Sequence, residues 1–158
     1  DLVRRLREAR PDLALSSDFI VGHPGETDAD FEATMELVRD TGFALAYSFK
    51  YSPRPGTPAA GADMQVPEDV KDSRLQALQQ LLRQQQDAFN QTMVGQSVPV
   101  LFTGAGRKPG QIAGRSPWLQ PVHVQGDPSL IGREIMVRIT ERLSNSLGGI
   151  VEEEKEYA

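Results

Sequence analysis

The sequence predicts a fold in two parts, an α/β segment of parallel βα units and a small all-β barrel of OB-like size. Helical and extended patterns alternate from Asp1 to Lys50, whereas five short strand patterns follow Gly95. The net charge of the chain changes sign at the same point. Residues 1–95 carry 10 basic and 15 acidic side chains, a net charge of −5, and residues 96–151 carry 6 basic and 3 acidic ones, a net charge of +3. The cationic segment is a candidate anion-binding module, and ordinary surface charge is the alternative.

The first elements have clear start and stop signals. The stretch "DLVRRLREAR" predicts a helix that ends before Pro11, and residues 13–22 predict a strand covered on both faces. Thr27 is the predicted N-cap of the next helix, which Gly42 ends. Its buried stripe is predicted to consist of Phe31, Met35 and Val38.

The stretch "FALAYSFKYS" predicts a second strand with strict alternation. We expect its large side chains to pack under helices and its small and polar ones to line a barrel interior or cleft. The large set is Phe43, Leu45, Tyr47, Phe49 and Tyr51, and the other set is Ala44, Ala46, Ser48 and Lys50.

Residues 63–94 predict a loop and a linker helix that begins near Pro67. One face of this helix carries Leu75, Leu78, Leu82 and Phe89. Five short segments then predict an antiparallel barrel: "SVPVLFTG", "QIAGRS", "PVHVQG", "EIMVRITER" and "LGGIV". Residues 152–158 predict a solvated acidic tail.

Composition excludes several classes of protein. A formal charge of −5 argues against a uniformly basic nucleic-acid binder. The absence of cysteine excludes disulfides and thiolate ligation of zinc or iron–sulfur clusters by this chain. No apolar run reaches the length that spans a bilayer, so we expect a soluble, cytoplasmic protein. Because the chain begins inside a predicted helix, we also expect it to be a piece of a longer protein.

The turn "VGHPGET" is the first candidate binding site. Gly22 and Gly25 permit close approach or unusual backbone angles, and Pro24 stiffens the turn. The turn follows a strand of a predicted parallel sheet, where ligands of α/β folds bind. An ordinary tight turn is the alternative, because the Gly-Lys-Ser/Thr ending of a phosphate loop is missing. His23 is either an acid/base group or a loop residue.

Basic and aromatic residues supply the remaining candidates. Arg54 lies between prolines and could hold a carboxylate or phosphate, and Lys50 could point into a cleft. In the barrel segment, Arg115 lies three residues before Trp118, on which a base could stack; a core tryptophan is the alternative. Arg107 and Lys108, in a Gly/Pro loop, are candidates for RNA phosphates. No Ser/His/Asp set, metal-spaced histidines or carboxylate pair is present, so the sequence predicts neither catalytic residues nor a metal site.

Five ordered motifs carry a resemblance that covers the chain from Asp1 to about Val151. They are "SSDFIVGHPGET", "YSPRPGTPAA", "VPEDVKDSRLQALQ", "GRSPWLQPVHV" and "NSLGGIV", in that order. The chain thereby resembles the radical-SAM tRNA methylthiotransferases of the MiaB type. The resemblance implies that residues 1–62 are the last two βα units of a partial (β/α)6 radical-SAM barrel. It further implies a linker in 63–94 and an RNA-binding, five-stranded TRAM β-barrel in 95–151.

The resemblance also implies the chemistry of the parent enzyme. S-adenosylmethionine and two [4Fe-4S] clusters would be its cofactors, with the cluster cysteines upstream of Asp1. The edge formed by Ile20, Gly22, Pro24, Gly25 and Glu26 would lie along the adenosine of S-adenosylmethionine. At His23 the family usually has Phe.

The reaction implied is addition of a methylthio group to carbon 2 of N6-dimethylallyladenosine beside the anticodon. The implied partners are the tRNA anticodon stem-loop and the missing N-terminal part, with self-association through the exposed half-barrel edge. Two alternatives stay open for the substrate, threonylcarbamoyl-adenosine in tRNA and a ribosomal protein. A stand-alone RNA-binding module without catalysis is the alternative for the chain itself.

Overall fold

The computed structural model describes residues 1–152 and forms two compact units, one from Asp1 to Gln86 and one from Asp87 onward. Beyond Glu152, the predicted acidic tail lies outside the described residues. Across residues 1–152, none of the helices combines the length and hydrophobicity needed to cross a membrane.

The first unit contains the predicted βα units. Its elements are α1 Leu2–Ala9, β1 Ser16–Val21, α2 Asp28–Thr41, β2 Leu45–Lys50, a 3₁₀ turn Pro58–Gly61 and the first part of α3 Glu68–Met93. The two strands pair in parallel, with Ser16 opposite Leu45 and Val21 opposite Lys50. The sequence thus predicted the order of these elements and the parallel pairing.

Helix α2 begins and ends as its sequence predicts. The Thr27 hydroxyl accepts the amide hydrogen of Asp30, and the Asp30 carboxylate accepts that of Thr27, a reciprocal capping box. At the other end Gly42 adopts a left-handed conformation with φ +62°, and its amide donates to the carbonyl of Val38.

The core of the first unit lies between the sheet and its helices. Val21, Met35, Val38, Leu78 and Leu82 are buried there. Because Gln85 interrupts the apolar stripe of α3, its side chain needs polar partners. It donates to the Val38 carbonyl (2.6 Å) and accepts from the Phe43 amide (2.9 Å).

The prediction for the two faces of β2 is wrong. Tyr47 and Phe49 are 58% and 55% exposed, whereas Ala46 packs against the core. Within the described residues this sheet has two strands, and its helices cover one face only, so the prediction that β1 is covered on both faces is also wrong. The covered face carries the small side chains of β2, together with Phe19 and Val21 of β1. The opposite face, with Ile20, Tyr47 and Phe49, is open.

The second unit contains a closed five-stranded barrel. Its strands are β3 Ser97–Ala105, β4 Gln111–Arg115, β5 Pro121–Gln125, β6 Glu134–Arg142 and β7 Leu147–Val151, with a 3₁₀ turn at Pro128–Leu130. Alternate residues of β3, β4, β5 and β6 point inward, and Val100, Phe102, Val122 and Val137 are fully buried in the barrel core. The small all-β barrel predicted from the sequence is confirmed.

One pairing in the barrel differs from the antiparallel prediction. The strand order is β3-β4-β5-β7-β6, and β5 and β7 run parallel, with His123 opposite Gly148. β6 separates them in sequence and forms antiparallel pairs with β3 and β7. Alternating side chains identify a strand and its buried face, but they do not identify its neighbour.

Candidate functional site

The turn after β1 requires glycine at two positions. Gly22 and Gly25 have φ values of +72° and +87°. A Cβ at Gly22 would also overlap the Cγ atom of Lys71, whose side chain lies against the turn. The sequence predicted that another group approaches these glycines closely. Within the first unit, that group is the side chain of Lys71.

The amide groups of this turn are already used. The Gly22 amide donates to Glu26 Oε1 (2.9 Å), the Gly25 amide to the Met64 carbonyl (2.8 Å) and the Glu26 amide to the His23 carbonyl (2.9 Å). A phosphate-binding turn instead presents such donors to its ligand. This geometry agrees with the missing phosphate-loop signature.

Arg74 of α3 holds the turn to the start of α2. Its Nη1 lies 2.6 Å from Glu26 Oε1, and its Nη2 lies 2.7 Å from Asp28 Oδ1. The guanidinium also lies 5.6 Å from the ring centroid of Phe31. Only 8% of the Arg74 side chain and 13% of that of Glu26 are exposed. The Glu26 carboxylate, a candidate cofactor ligand, thus acts within the turn.

The burial of Lys71 and Arg74 was not predicted from the sequence, because the buried face of α3 was assigned from its apolar residues alone. Lys71 and Arg74 lie four residues before Leu75 and Leu78, so they continue the same face by one turn. Helical spacing could therefore have found them. Lys71 is buried, donates to Glu68 (2.8 Å) and lies 5.5 Å from the Tyr51 ring centroid.

The other candidates of the first unit lie at different places. Ile20, on the open sheet face, is 60% exposed. His23 is exposed and contacts the Tyr51 ring edge-on, while Pro24 is half-buried. Lys50 binds Glu68 (3.1 Å) and Asp72 (2.7 Å).

Lys50 is paired with carboxylates, whereas Arg54 is exposed. Hydrogen bonds to Asp72 and then to Glu68 raise the pKa of Lys50, which is therefore a paired cation. Arg54 is exposed, and its carbonyl accepts two hydrogen bonds from Thr57.

Two cations lie exposed at the turn between β3 and β4. Arg107 and Lys108 occupy this turn, which Gly110 closes with φ +73°. The Lys108 carbonyl accepts the Gln111 amide (3.1 Å). The main chain fixes the turn, so both long side chains extend from an ordered support.

The loop from Arg115 to Gln120 is tied together by polar contacts. Arg115 Nη1 donates to the Leu119 carbonyl (2.9 Å), and the Ser116 amide donates to the Gln120 carbonyl (3.0 Å). The buried Gln120 amide group then donates to Asn90 Oδ1 (2.6 Å). Sequence reasoning found Arg115 but not this network.

Trp118 in the same loop is partly buried. Its ring packs against the barrel core and meets Phe89 edge-on, with centroids 6.4 Å apart. The packing role that the sequence left open is thus present in the structure. A base can reach only the part of the indole that stays exposed.

His123 lies on the outer face of β5, opposite Ala113 of β4 and Gly148 of β7. Burial, followed by the positive charges of Arg107 and Arg115, lowers the pKa of His123. Its Nδ1 is buried without a hydrogen-bond partner in the described structure. The charges of two candidate residues, Arg107 and Arg115, therefore act on one histidine, an arrangement visible only after β4 and β5 pair.

Metal-binding side chains do not cluster within residues 1–152. In that range no group of three or more His, Asp or Glu side chains could hold a metal ion. The whole sequence also lacks cysteine, so this chain does not fit the thiolate ligation of an iron–sulfur cluster.

The barrel can be assigned by comparison with known families. Residues 91–151 match the family model of the TRAM domain. The barrel is therefore similar to TRAM domains. This assignment covers the closed five-stranded core together with the exposed cations Arg107, Lys108 and Arg115.

The similarity extends beyond the TRAM domain into the first unit. Over 148 residues the chain is 58% identical to a protein of Maricaulis maris (strain MCS10) named tRNA-2-methylthio-N(6)-dimethylallyladenosine synthase. The aligned region covers 94% of this chain and 32% of that protein. The chain therefore spans about a third of the length of the curated relative that it matches.

Proposed function

We propose that this chain is part of a tRNA-modifying enzyme that adds a methylthio group to carbon 2 of N6-dimethylallyladenosine next to the anticodon. The observation that carries the proposal is 58% identity to a synthase of that name over 94% of the chain. Both units of the fold fall within the match, so similarity of the TRAM domain alone does not account for it. This extent favours an enzyme part over a stand-alone RNA-binding module.

In this proposal the first unit supplies the last two βα units of a partial (β/α)6 radical-SAM barrel. The parallel pairing of β1 and β2 and their one-sided helical cover support it. The open face would line the interior, and strands from the missing N-terminal part would continue the sheet. The domain boundaries after residues 62 and 94 are part of this proposal.

The edge from Ile20 to Glu26 would lie along S-adenosylmethionine. The turn amides of Gly22, Gly25 and Glu26 are internally paired, so they do not suit an anionic group. The exposed side chain of Ile20 suits an adenine ring. S-adenosylmethionine would supply the methyl group and the radical. The two [4Fe-4S] clusters would depend on cysteines outside this chain.

The TRAM barrel would hold the anticodon stem-loop through Arg107, Lys108 and Arg115, with Trp118 beside them. Exposed guanidinium and ammonium groups on ordered turns are suited to phosphate contacts. Lys50 is paired with carboxylates, so a substrate role would require exchange of those partners. Arg54 stays available on the Pro-rich loop. A tRNA substrate would place the enzyme in the cytoplasm.

The test is complementation with the complete protein that contains this chain. A bacterial strain lacking its own methylthiotransferase should regain the methylthio group on N6-dimethylallyladenosine, measured by mass spectrometry of tRNA nucleosides. A catalytically dead variant lacking the cluster cysteines of the complete protein is the control. A methylthio group on threonylcarbamoyl-adenosine or on a ribosomal protein would contradict the proposed substrate, and no modification at all would contradict the proposed activity.

A further inference from the structure

Leu119 at the tip of the Arg115–Gln120 loop has an unusual backbone conformation. Its φ is +63°, and it is the one non-glycine residue with positive φ among residues 1–152. For a leucine this conformation is strained, because Cβ crowds the backbone. The side chain does not compensate by packing, since Leu119 is 62% exposed.

The loop enforces this conformation through several hydrogen bonds. The Leu119 amide donates to the Ser116 carbonyl (2.9 Å), and the Leu119 carbonyl accepts from Arg115 Nη1 (2.9 Å). The next residue, Gln120, is buried and anchored to Asn90. The fold therefore holds an exposed apolar side chain in a strained position, a combination that indicates use of the side chain by a partner.

The surroundings of Leu119 indicate the chemistry of that partner. The loop "RSPWLQ" has one cation, Arg115, and no acidic residue. His123 lies on β5, two residues beyond Pro121, which pairs with Arg115, and the charges of Arg107 and Arg115 both act on it. An apolar tip beside cations complements a polyanion with exposed apolar faces, which is what unpaired nucleotides present.

We propose that Leu119 is a nucleobase-contacting residue that packs on an unpaired base of the RNA bound by this barrel. The inference rests on the proposed function, since it assumes RNA as the partner. Arg115 is a positioning residue here. One of its nitrogens holds the Leu119 carbonyl, and the rest of its guanidinium stays exposed for a phosphate of the same nucleotide.

The experiment compares Leu119→Gly and Leu119→Asn in the full chain. Both replacement residues accept positive φ, so neither should lower the melting temperature. The probes are an anticodon stem-loop RNA and a fully paired duplex of the same stem. Leu119→Gly should bind the stem-loop about five- to tenfold more weakly than the parent, because burial of one apolar contact is lost. Affinity for the duplex and the salt dependence should not change, since no phosphate contact is removed.

Ile150→Ala is the matched control. Ile150 is 56% exposed and lies at the opposite end of the parallel β5–β7 pair, so its loss should not affect RNA binding. Parent affinity in Leu119→Gly overturns the inference, as does an equal loss with the duplex. A lower melting temperature of both variants overturns it as well, because Leu119 would then have a structural role. If the parent binds neither RNA, the proposed RNA function of the barrel fails, and this inference fails with it.

Discussion

Arg74 Nη1 of α3 lies 2.6 Å from Glu26 Oε1 in the turn after β1, and both side chains are largely buried. The same carboxylate oxygen accepts the Gly22 amide. One guanidinium therefore connects the end of a strand, the start of α2 and the start of α3. A buried charge pair of this kind fixes the relative position of the segments that it joins. It adds little net stability, because the cost of desolvating the two charges offsets much of their attraction.

Removing one partner should nevertheless be costly. Arg74→Ala leaves Glu26 buried without its counter-charge and should lower the unfolding free energy of the first unit by about 3 kcal/mol. Hydrogen exchange of the β1 amides measures this. Arg39→Ala removes the exposed pair with Glu32 and should change exchange very little. Equal protection of β1 in both variants would contradict the role assigned to Arg74.

Gly22→Ala and Gly56→Ala separate backbone strain from steric overlap. Both glycines have positive φ, +72° and +83°, so each alanine should cost roughly 1 kcal/mol in backbone strain. At Gly22 the new methyl group also overlaps Lys71, whereas nothing lies within 4 Å at Gly56. Gly22→Ala should therefore destabilise the first unit by an additional ~1–3 kcal/mol in chemical denaturation. Equal effects would show that Lys71 moves away freely.

The open face of the two-stranded sheet should associate with another copy when the chain is studied alone. Ile20, Tyr47 and Phe49 expose apolar surface next to strand edges that have no partner within residues 1–152. Sedimentation should show self-association that Phe49→Glu abolishes. Leu37→Glu is the control, because Leu37 is 55% exposed on α2 instead. High hydrogen-exchange protection of residues 43–51 in a proven monomer would refute this prediction.

Arg107 and Lys108 should account for part of the salt dependence of RNA binding. Replacing both by alanine should reduce the log–log slope of stem-loop affinity against salt by about two contacts, each worth roughly 0.7–0.9. The double variant Arg138→Ala/Arg142→Ala removes the same charge, but from residues paired with Glu152 and Asp87. It should retain most of the parent slope. An unchanged slope in the first variant would mean that neither Arg107 nor Lys108 touches RNA.

His123 should make the barrel less stable in mild acid. Its pKa is lowered in the folded state, so the unfolded chain binds more protons below about pH 6.5, and stability decreases as pH falls through that range. Urea unfolding followed by the fluorescence of Trp118, the one tryptophan of the chain, measures this at about pH 7.5 and pH 5.5. His123→Gln should flatten the dependence, and His23→Gln, a change in the first unit, should leave the unfolding of the barrel as it is in the parent. If only His23→Gln flattened the pH dependence, burial of His123 would not be the cause of the lower stability in acid.

RNA binding offers a second measurement on the same histidine. Phosphates near Arg107 and Arg115 would offset the charges that help to depress the pKa of His123, so that pKa should rise in the complex. Nuclear magnetic resonance of the imidazole during a pH titration would detect the change. An unchanged pKa in a saturated complex would place the phosphates elsewhere on the barrel.

Local signals in the sequence determined the elements of this protein. Thr27, Asp30 and Gly42 predict both ends of α2, because caps act within a few residues. Short extended segments separated by Gly, Pro and Asp turns predicted all five barrel strands. The five ordered motifs indicated a family resemblance, and 58% identity over 148 residues confirms it. Each of these features depends on residues close together in the chain.

Only the tertiary structure decided which surfaces meet. Alternation in β2 defined two faces but not which one the helices cover, and the parallel alignment of β5 with β7 depends on the path of β6. Lys71 and Arg74 are buried because the turn after β1 supplies their partners and space, which a hydrophobicity pattern does not record. The conformation of Leu119 likewise results from a hydrogen-bond network anchored on Asn90, 29 residues earlier in the sequence. Burial, pairing and strain depend on contacts between distant segments, and these exist only when the chain has folded.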